Sequence, residues 1–179
     1  EQLRANLLRA ISHDLRTPLT SISGNASNLL SNSDSFDNDT KKQLYMDIYD
    51  DSMWLINLVE NLLAVTRIEE GRLNLRITED LMDDVITEAL HHINRKSEEH
   101  HISVESKEEF LLAKMDAKLI VQVIINIVDN AIKYTPKNSH IVIRTEKRGK
   151  QAIVSISDDG NGIADEIKPR IFDMFYSGA

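Results

Sequence analysis

The sequence predicts a helical hairpin followed by a separate domain of mixed helix and strand. Three features carry that prediction. Apolar residues recur at steps of three and four on both sides of a polar break at residues 31–39. Past Gly71 the helical period gives way to short runs that alternate apolar and polar side chains. The chain has 179 residues, 41% of them hydrophobic, which suffices to bury a core and excludes a wholly disordered polymer.

The first helix is expected from Leu3 to Leu30, where Leu8, Ile11, Leu15, Leu19, Ile22, Ala26 and Leu29 form one apolar stripe. Residues 31–39, SNSDSFDND, are turn formers and helix caps, so the chain should reverse there and Thr40 should open a second helix. That helix carries a heptad-like seam, Ile48, Ser52, Leu55, Val59, Leu62 and Thr66, and should stop near Gly71. Leu7, Leu30, Ile56 and Leu63 widen the stripes beyond what one neighbouring helix can cover. Two copies of the hairpin should therefore close into a homodimeric four-helix bundle.

The second domain is expected to open with an extended piece at Leu73–Ile77 and a helix at Leu81–Lys96, then strands at Ile102–Glu105 and Phe110–Lys114. A helix from Ala117 to Tyr134 should end before Pro136. Two alternating strands, Ile141–Glu146 and Ala152–Ser157, follow with a turn at Arg148-Gly149-Lys150.

Composition narrows the function. Twenty-one basic against 29 acidic residues leave a formal charge of −8 with no clustered Lys/Arg patch, which argues against nucleic acid and anionic membrane as partners. The longest apolar stretch, Leu119 to Val128, is broken by Gln122 and Asn126 and falls short of the roughly 20 residues that a spanning helix needs. No signal-peptide pattern is present. Without cysteine there are no disulfides, thiolate nucleophiles or thiolate metal sites, which suits a reducing compartment.

Chemistry enters with His13 in the segment SHDLRTPL. At about 100° per residue, His13 lies about 155° from the centre of its helix's apolar stripe and so points to solvent. Asp14 beside it can hold one ring nitrogen, which leaves the other a lone pair for nucleophilic attack. Thr17 lies one turn on, about 40° from His13 around the helix. Pro18 leaves the Asp14 carbonyl without its usual donor and so permits a bend. An ordinary surface histidine is the alternative reading of the same residues.

The segment NIVDNAIKYT places Asn126 and Asn130 on one helix face with Gln122 and Lys133, while Ile120, Ile124, Ile127 and Ala131 cover the other. Amide oxygens beside a lysine suit Mg2+ held partly by protein and partly by phosphate oxygens. A plain polar helix face is the alternative. In SDDGNGI, Asp158 ends a strand ahead of Gly160 and Gly162, so backbone can approach a flat ligand and the carboxylate can accept from an exocyclic amine. A calcium loop would need an acidic last ligand where Arg170 and its neighbours stand. A bare β-turn remains open.

Taken in order, these segments resemble the histidine, asparagine and first glycine boxes of bacterial two-component sensor histidine kinases, and Ile171–Tyr176 resembles that family's phenylalanine box. The opening LRANLLRAISHDLRTPLTSI is especially similar to kinases of the Kdp type, which respond to potassium limitation and osmotic stress. The resemblance implies a dimerisation and phosphoacceptor hairpin in residues 1–70. It implies an α/β two-layer sandwich of the Bergerat ATP-binding type, shared with gyrase and MutL, in residues 71–179.

By the same resemblance, His13 would take a phosphoryl group from ATP with Asp14 assisting. Thr17 would position water when the kinase dephosphorylates its partner. Asn126 and Asn130 would bind Mg2+, Lys133 would meet phosphate, and Tyr134 would border the nucleotide. Asp158, in the turn with Gly160 and Gly162, would accept from the adenine amine. The implied partner is the receiver domain of a response regulator, phosphorylated on an aspartate. The implied location is the cytoplasmic face of a bacterial inner membrane, anchored through regions outside this sequence.

Asn126 stands where related ATPases carry a water-activating glutamate, and an amide cannot take a proton, so transfer to His13 is favoured over hydrolysis. The family's second glycine-rich box and last strands are expected after the phenylalanine box and do not occur in this sequence, which leaves the nucleotide domain incomplete. Two further readings stand beside the kinase: a non-catalytic dimeric phosphotransfer scaffold and a Bergerat-type ATPase.

Overall fold

A computed structural model describes residues 2–93 and 99–172, apart from the side chains of residues 2–10. The chain divides into two compact units: the hairpin together with the described residues from 164 on is assigned to one, and residues 74–163 form the other. In the first, helix α1 (Gln2–Asn32) packs against helix α2 (Asn38–Glu69), joined by a single 3-10 turn at Ser33–Ser35. The second helix starts at Asn38 and not at Thr40. Asp37 is its cap: the carboxylate accepts the Thr40 backbone N–H at 2.7 Å, satisfying one of the donors a helix start leaves open. Gly71, at φ 63°, ends the helix as expected, in the left-handed region that glycine enters without cost.

Within the hairpin the stripes are only half covered. Ile11, Leu15, Ile22, Ala26 and Leu29 of α1 and Ile48, Ser52, Leu55 and Leu62 of α2 are partly buried, and no residue of α2 is fully buried. The two polar members of the seam satisfy themselves. Ser52 donates to the Ile48 carbonyl at 2.7 Å and Thr66 to the Leu62 carbonyl at 2.9 Å. Pro18 sits inside α1 and is buried. No helix among the described residues is long and apolar enough to cross a membrane.

The second unit is an α/β sandwich of strands β1 (Thr78–Leu81), β2 (His101–Ser106), β3 (Leu112–Met115), β4 (His140–Arg148) and β5 (Gln151–Asp158) with helices α3 (Met82–His91) and α4 (Ala117–Tyr134). Strands β1 and β3 pair antiparallel, while β2 runs parallel to β4 and β4 antiparallel to β5. Alternate residues of β4, Ile141, Ile143 and Thr145, are wholly buried, and the first two join Ile86 of α3 and Val128 of α4 in one core.

Several boundaries depart from the expectation. The extended piece at 73–77 joins no ladder, since Leu75 and Ile77 are about half exposed and the Arg76 N–H is taken by the Asp116 carboxylate, and the first strand, at 78–81, was not expected. Helix α3 ends at His91, and the remainder expected up to Lys96 falls largely in residues 94–98, outside the described residues. Phe110 is 74% exposed and precedes β3. Of the phenylalanine box only Ile171 and Phe172 are described, both exposed.

Candidate active site

On α1, His13 and Asp14 are exposed neighbours, with the His13 Nδ1 3.4 Å from the Asp14 Oδ1. That spacing is the long end of a hydrogen bond. It puts Nδ1 toward the carboxylate, on a side chain that is 79% exposed, so Nε2 is the ring nitrogen to consider for attack. Thr17 is also exposed, one turn along the same helix.

The other predicted residues lie in the second unit. Helix α4 opens at Asp116, whose Oδ1 accepts the Leu119 N–H, and closes at Thr135, whose hydroxyl donates to the Ala131 carbonyl at 2.7 Å. Its buried face is Ile124, Ile125, Val128, Ala131 and Ile132. This corrects the expected face: Ile127 is 44% exposed and Ile120 only partly buried. Relative to Val128, Asn126 and Asn130 stand about 160° away on either side. Asn130 and Lys133 are exposed, and Asn126 is partly buried with its Oδ1 3.5 Å from the Gln122 Nε2. The Lys133 ammonium lies 5.1 Å from the centre of the exposed Tyr134 ring.

The turn after β5 comes against the end of this helix. A β-carbon built on Gly160 would meet the Thr135 methyl at 2.7 Å, so glycine lets the two backbones close up. The Gly160 N–H donates to the Asp158 Oδ1 at 3.0 Å, which folds the turn around the carboxylate. Gly162 has φ 70°, a conformation that a side chain would strain. The turn of Asp158 and Gly160 thus packs against the C-terminal end of α4. His13, Asp14 and Thr17 belong to the hairpin.

Residues 3–71 match the model of the His Kinase A (phospho-acceptor) domain, and residues 115–179 match that of the histidine kinase-, DNA gyrase B- and HSP90-like ATPases. The chain belongs to the histidine kinases. Over 177 residues, 99% of this chain, it is 43% identical to the sensor protein KdpD of Clostridium acetobutylicum, covering 20% of that protein. To the sensor protein KdpD of Escherichia coli it is 32% identical over 178 residues, again 99% of this chain and 20% of the relative. It therefore spans about a fifth of the length of these relatives. Among solved structures, the Acinetobacter baumannii histidine kinase AdeS superposes with a TM-score of 0.60 at 25% identity, over 90% of this chain and 78% of that one. The histidine kinase ThkA, solved in complex with the response regulator protein TrrA, gives 0.59 at 26% identity, over 96% and 50%.

The chain carries features near the candidate site that its motifs do not announce. Thr135 seats Gly160, and the Asp159 carboxylate accepts the His140 backbone N–H at 2.9 Å. The signal for the second was present in the short turn at Gly149-Lys150, which sets the β4–β5 register and so places residue 140 opposite residue 159.

Proposed function

We propose that this chain is the core of a sensor histidine kinase that phosphorylates itself on His13 with ATP and passes the group to an aspartate of a response regulator. The observation that carries the reading is the corner where Gly160 closes on Thr135. There the turn that carries Asp158 is seated on the C-terminal end of α4, the helix that bears Asn130 and Lys133 on its exposed side and Asn126 partly buried. Residues 1–70 serve as the dimerisation and phosphoacceptor module and residues 71–179 as the nucleotide-binding module.

The chemistry follows from the side chains. Asp158 accepts from the adenine amine while the Gly160 and Gly162 backbone allows the flat base to approach. Tyr134 borders the nucleotide and Lys133 neutralises phosphate charge. Asn126 and Asn130 offer hard oxygens to Mg2+. Bound there, Mg2+ would supply charge neutralisation for a transfer that needs positioning more than acid–base work. Asn126 cannot activate water, which disfavours hydrolysis, and the γ-phosphoryl group goes to Nε2 of His13 as its bond to ADP breaks.

Thr17 orients water for removal of the regulator's phosphoryl group. The bundle forms between two copies of the hairpin, and the ThkA complex supports a response regulator as the partner. Similarity to the KdpD sensors favours a membrane-anchored protein with potassium limitation as its input, both supplied by regions outside this chain.

The test compares His13→Gln and Asn130→Ala in the full-length kinase with labelled ATP. His13→Gln should abolish acid-labile phosphate on the protein and leave ADP affinity unchanged. Asn130→Ala should lower Mg2+-dependent labelling with a stability change within about 0.5 kcal/mol, the usual range for a surface substitution. Label retained on the same helix in the first variant, or a Mg2+ dependence unchanged in the second, refutes the assignments.

A further inference from the structure

We propose that Asp159 is a positioning residue of the nucleotide site, clasped by His140 so that Asp158 and the Gly160 backbone are held ready for the base. The proposal rests on the reading of Asp158 as the acceptor for adenine.

The register of β4 and β5 pairs Ile141 with Asp158, so His140 and Asp159 face each other one step past the end of the ladder. There the Asp159 side chain continues what the backbone pairing began. Its Oδ1 accepts the His140 backbone N–H at 2.9 Å, and its Oδ2 lies 3.1 Å from the His140 Nδ1. The His140 ring is stacked on His101, its register partner on β2, with centroids 4.9 Å apart and planes at 27°. The clasp is therefore tied into all three strands of the sheet. The His140 backbone N–H, then its side chain, hold the Asp159 carboxyl below the usual range.

Alternation along the strand assigns the two neighbouring carboxylates different duties. Asp158 shares parity with Ile156 and Val154, which pack against the helical core, while Asp159 falls on the opposite face with His140 and His101. Asp159 thus acts on the base only through Asp158 and Gly160. The turn is held at two points, by Thr135 under Gly160 and by His140 on Asp159. Releasing the second leaves the peptide between Asp158 and Gly160 anchored from one side, and that peptide sets where the adenine acceptor points.

The experiment measures ADP and GDP binding by calorimetry, with Mg2+ present, for the parent kinase and for Asp158→Asn, Asp159→Ala, Asp159→Asn and His140→Gln. Asp159→Ala should weaken ADP binding roughly three- to tenfold, the scale of one lost hydrogen bond, and lower the ADP-to-GDP preference. A merely structural role would weaken both nucleotides alike. Asp159→Asn should restore ADP binding, since its amide oxygen still accepts the His140 N–H. His140→Gln keeps that N–H and should show the smaller loss, which preserves the test if Asp159→Ala fails to fold. The proposal is overturned if Asp159→Ala and His140→Gln leave affinity and preference unchanged while Asp158→Asn abolishes binding. If Asp158→Asn binds ADP as the parent does, the reading of Asp158 falls instead, and the proposal falls with it.

Discussion

Gly160 and Thr135 are in contact across the corner of the nucleotide-binding unit, close enough that a β-carbon on the glycine would stand 2.7 Å from the threonine methyl and 2.9 Å from the Asp158 Oδ1. Gly160→Ala should therefore destabilise the unit by about 1–3 kcal/mol, the range for an added methyl in a packed site, and weaken nucleotide binding through the displaced Asp158. Thr135→Ser removes the obstructing methyl yet keeps the hydroxyl bond to the Ala131 carbonyl. The double variant should recover part of the loss in a thermal melt. Equal melting temperatures for Gly160→Ala and the parent would show that the contact does not constrain the turn.

Asp116 joins two parts of the second unit with one carboxylate. Its Oδ1 caps α4 through the Leu119 N–H at 3.4 Å, and its Oδ2 accepts the Arg76 N–H at 2.9 Å, 40 residues earlier in the chain. Asp116→Ala should cost about 1–2 kcal/mol, the upper part of the range for losing a helix cap, because a second backbone donor is released with it. Asp116→Asn retains an oxygen acceptor and should cost less. Urea unfolding of the three proteins separates these outcomes, and identical midpoints would remove Asp116 from the account.

The helix that carries the site was legible because its ends are chemically marked. Asp116 caps the start and Pro136 closes the end, and the observed bounds, Ala117–Tyr134, agree with those signals. Which face of that helix is buried was not legible. Leu119, Ile120, Val121, Val123, Ile124, Ile125, Ile127 and Val128 are apolar nearly all round, so periodicity alone could not choose Ile125 over Ile127. The first strand, at 78–81, was not legible: the alternation of Leu75 and Ile77 marks only the extended piece before it, whose Arg76 backbone is claimed by a side chain from far along the chain. His13, Asp14, the two asparagines and the aspartate of the glycine turn could be put forward as candidates because they sit in short contiguous motifs. The clasp between His140 and Asp159 escaped notice because its halves are separated by a whole hairpin.

Acid should loosen the second unit through Glu146. This carboxylate accepts from Lys107 at 2.6 Å and also pairs with Arg148, and these partners, Lys107 foremost, hold its pKa below the usual value. A carboxyl depressed by folding contributes stability that is present above its unfolded pKa, about 4.3 for glutamate, and is lost as pH falls through the folded value. Glu146→Gln should therefore flatten the acid limb of the stability curve below about pH 4.3, and the two proteins should converge once the pH lies well below the folded value of Glu146. High salt should shrink the difference between the two proteins near neutrality, since these partners are solvent-exposed. Parallel stability curves for parent and variant between pH 3 and 7 would exclude this pair of bridges as the cause.

The hairpin leaves an apolar surface that its own two helices do not cover. Leu30 is 88% exposed, and Ile56, Val59 and Leu63 of α2 are each between 43% and 53% exposed. Residues 56, 59 and 63 follow each other at steps of three and four and so line one face, the pattern that packs helix on helix. Covering them with a symmetric copy buries each side chain twice per dimer. Burial of one such residue is worth about 1.5–3 kcal/mol, so Ile56→Asp or Leu63→Asp should raise the dimer dissociation constant at least tenfold, the change that about 1.4 kcal/mol produces. Both sites lie outside the second unit, so nucleotide affinity should stay as in the parent. Sedimentation equilibrium over a range of micromolar concentrations measures the first quantity and calorimetry the second. A parent chain that sediments as a monomer, or a variant that dimerises as tightly as the parent, would show that this face is covered in some other way.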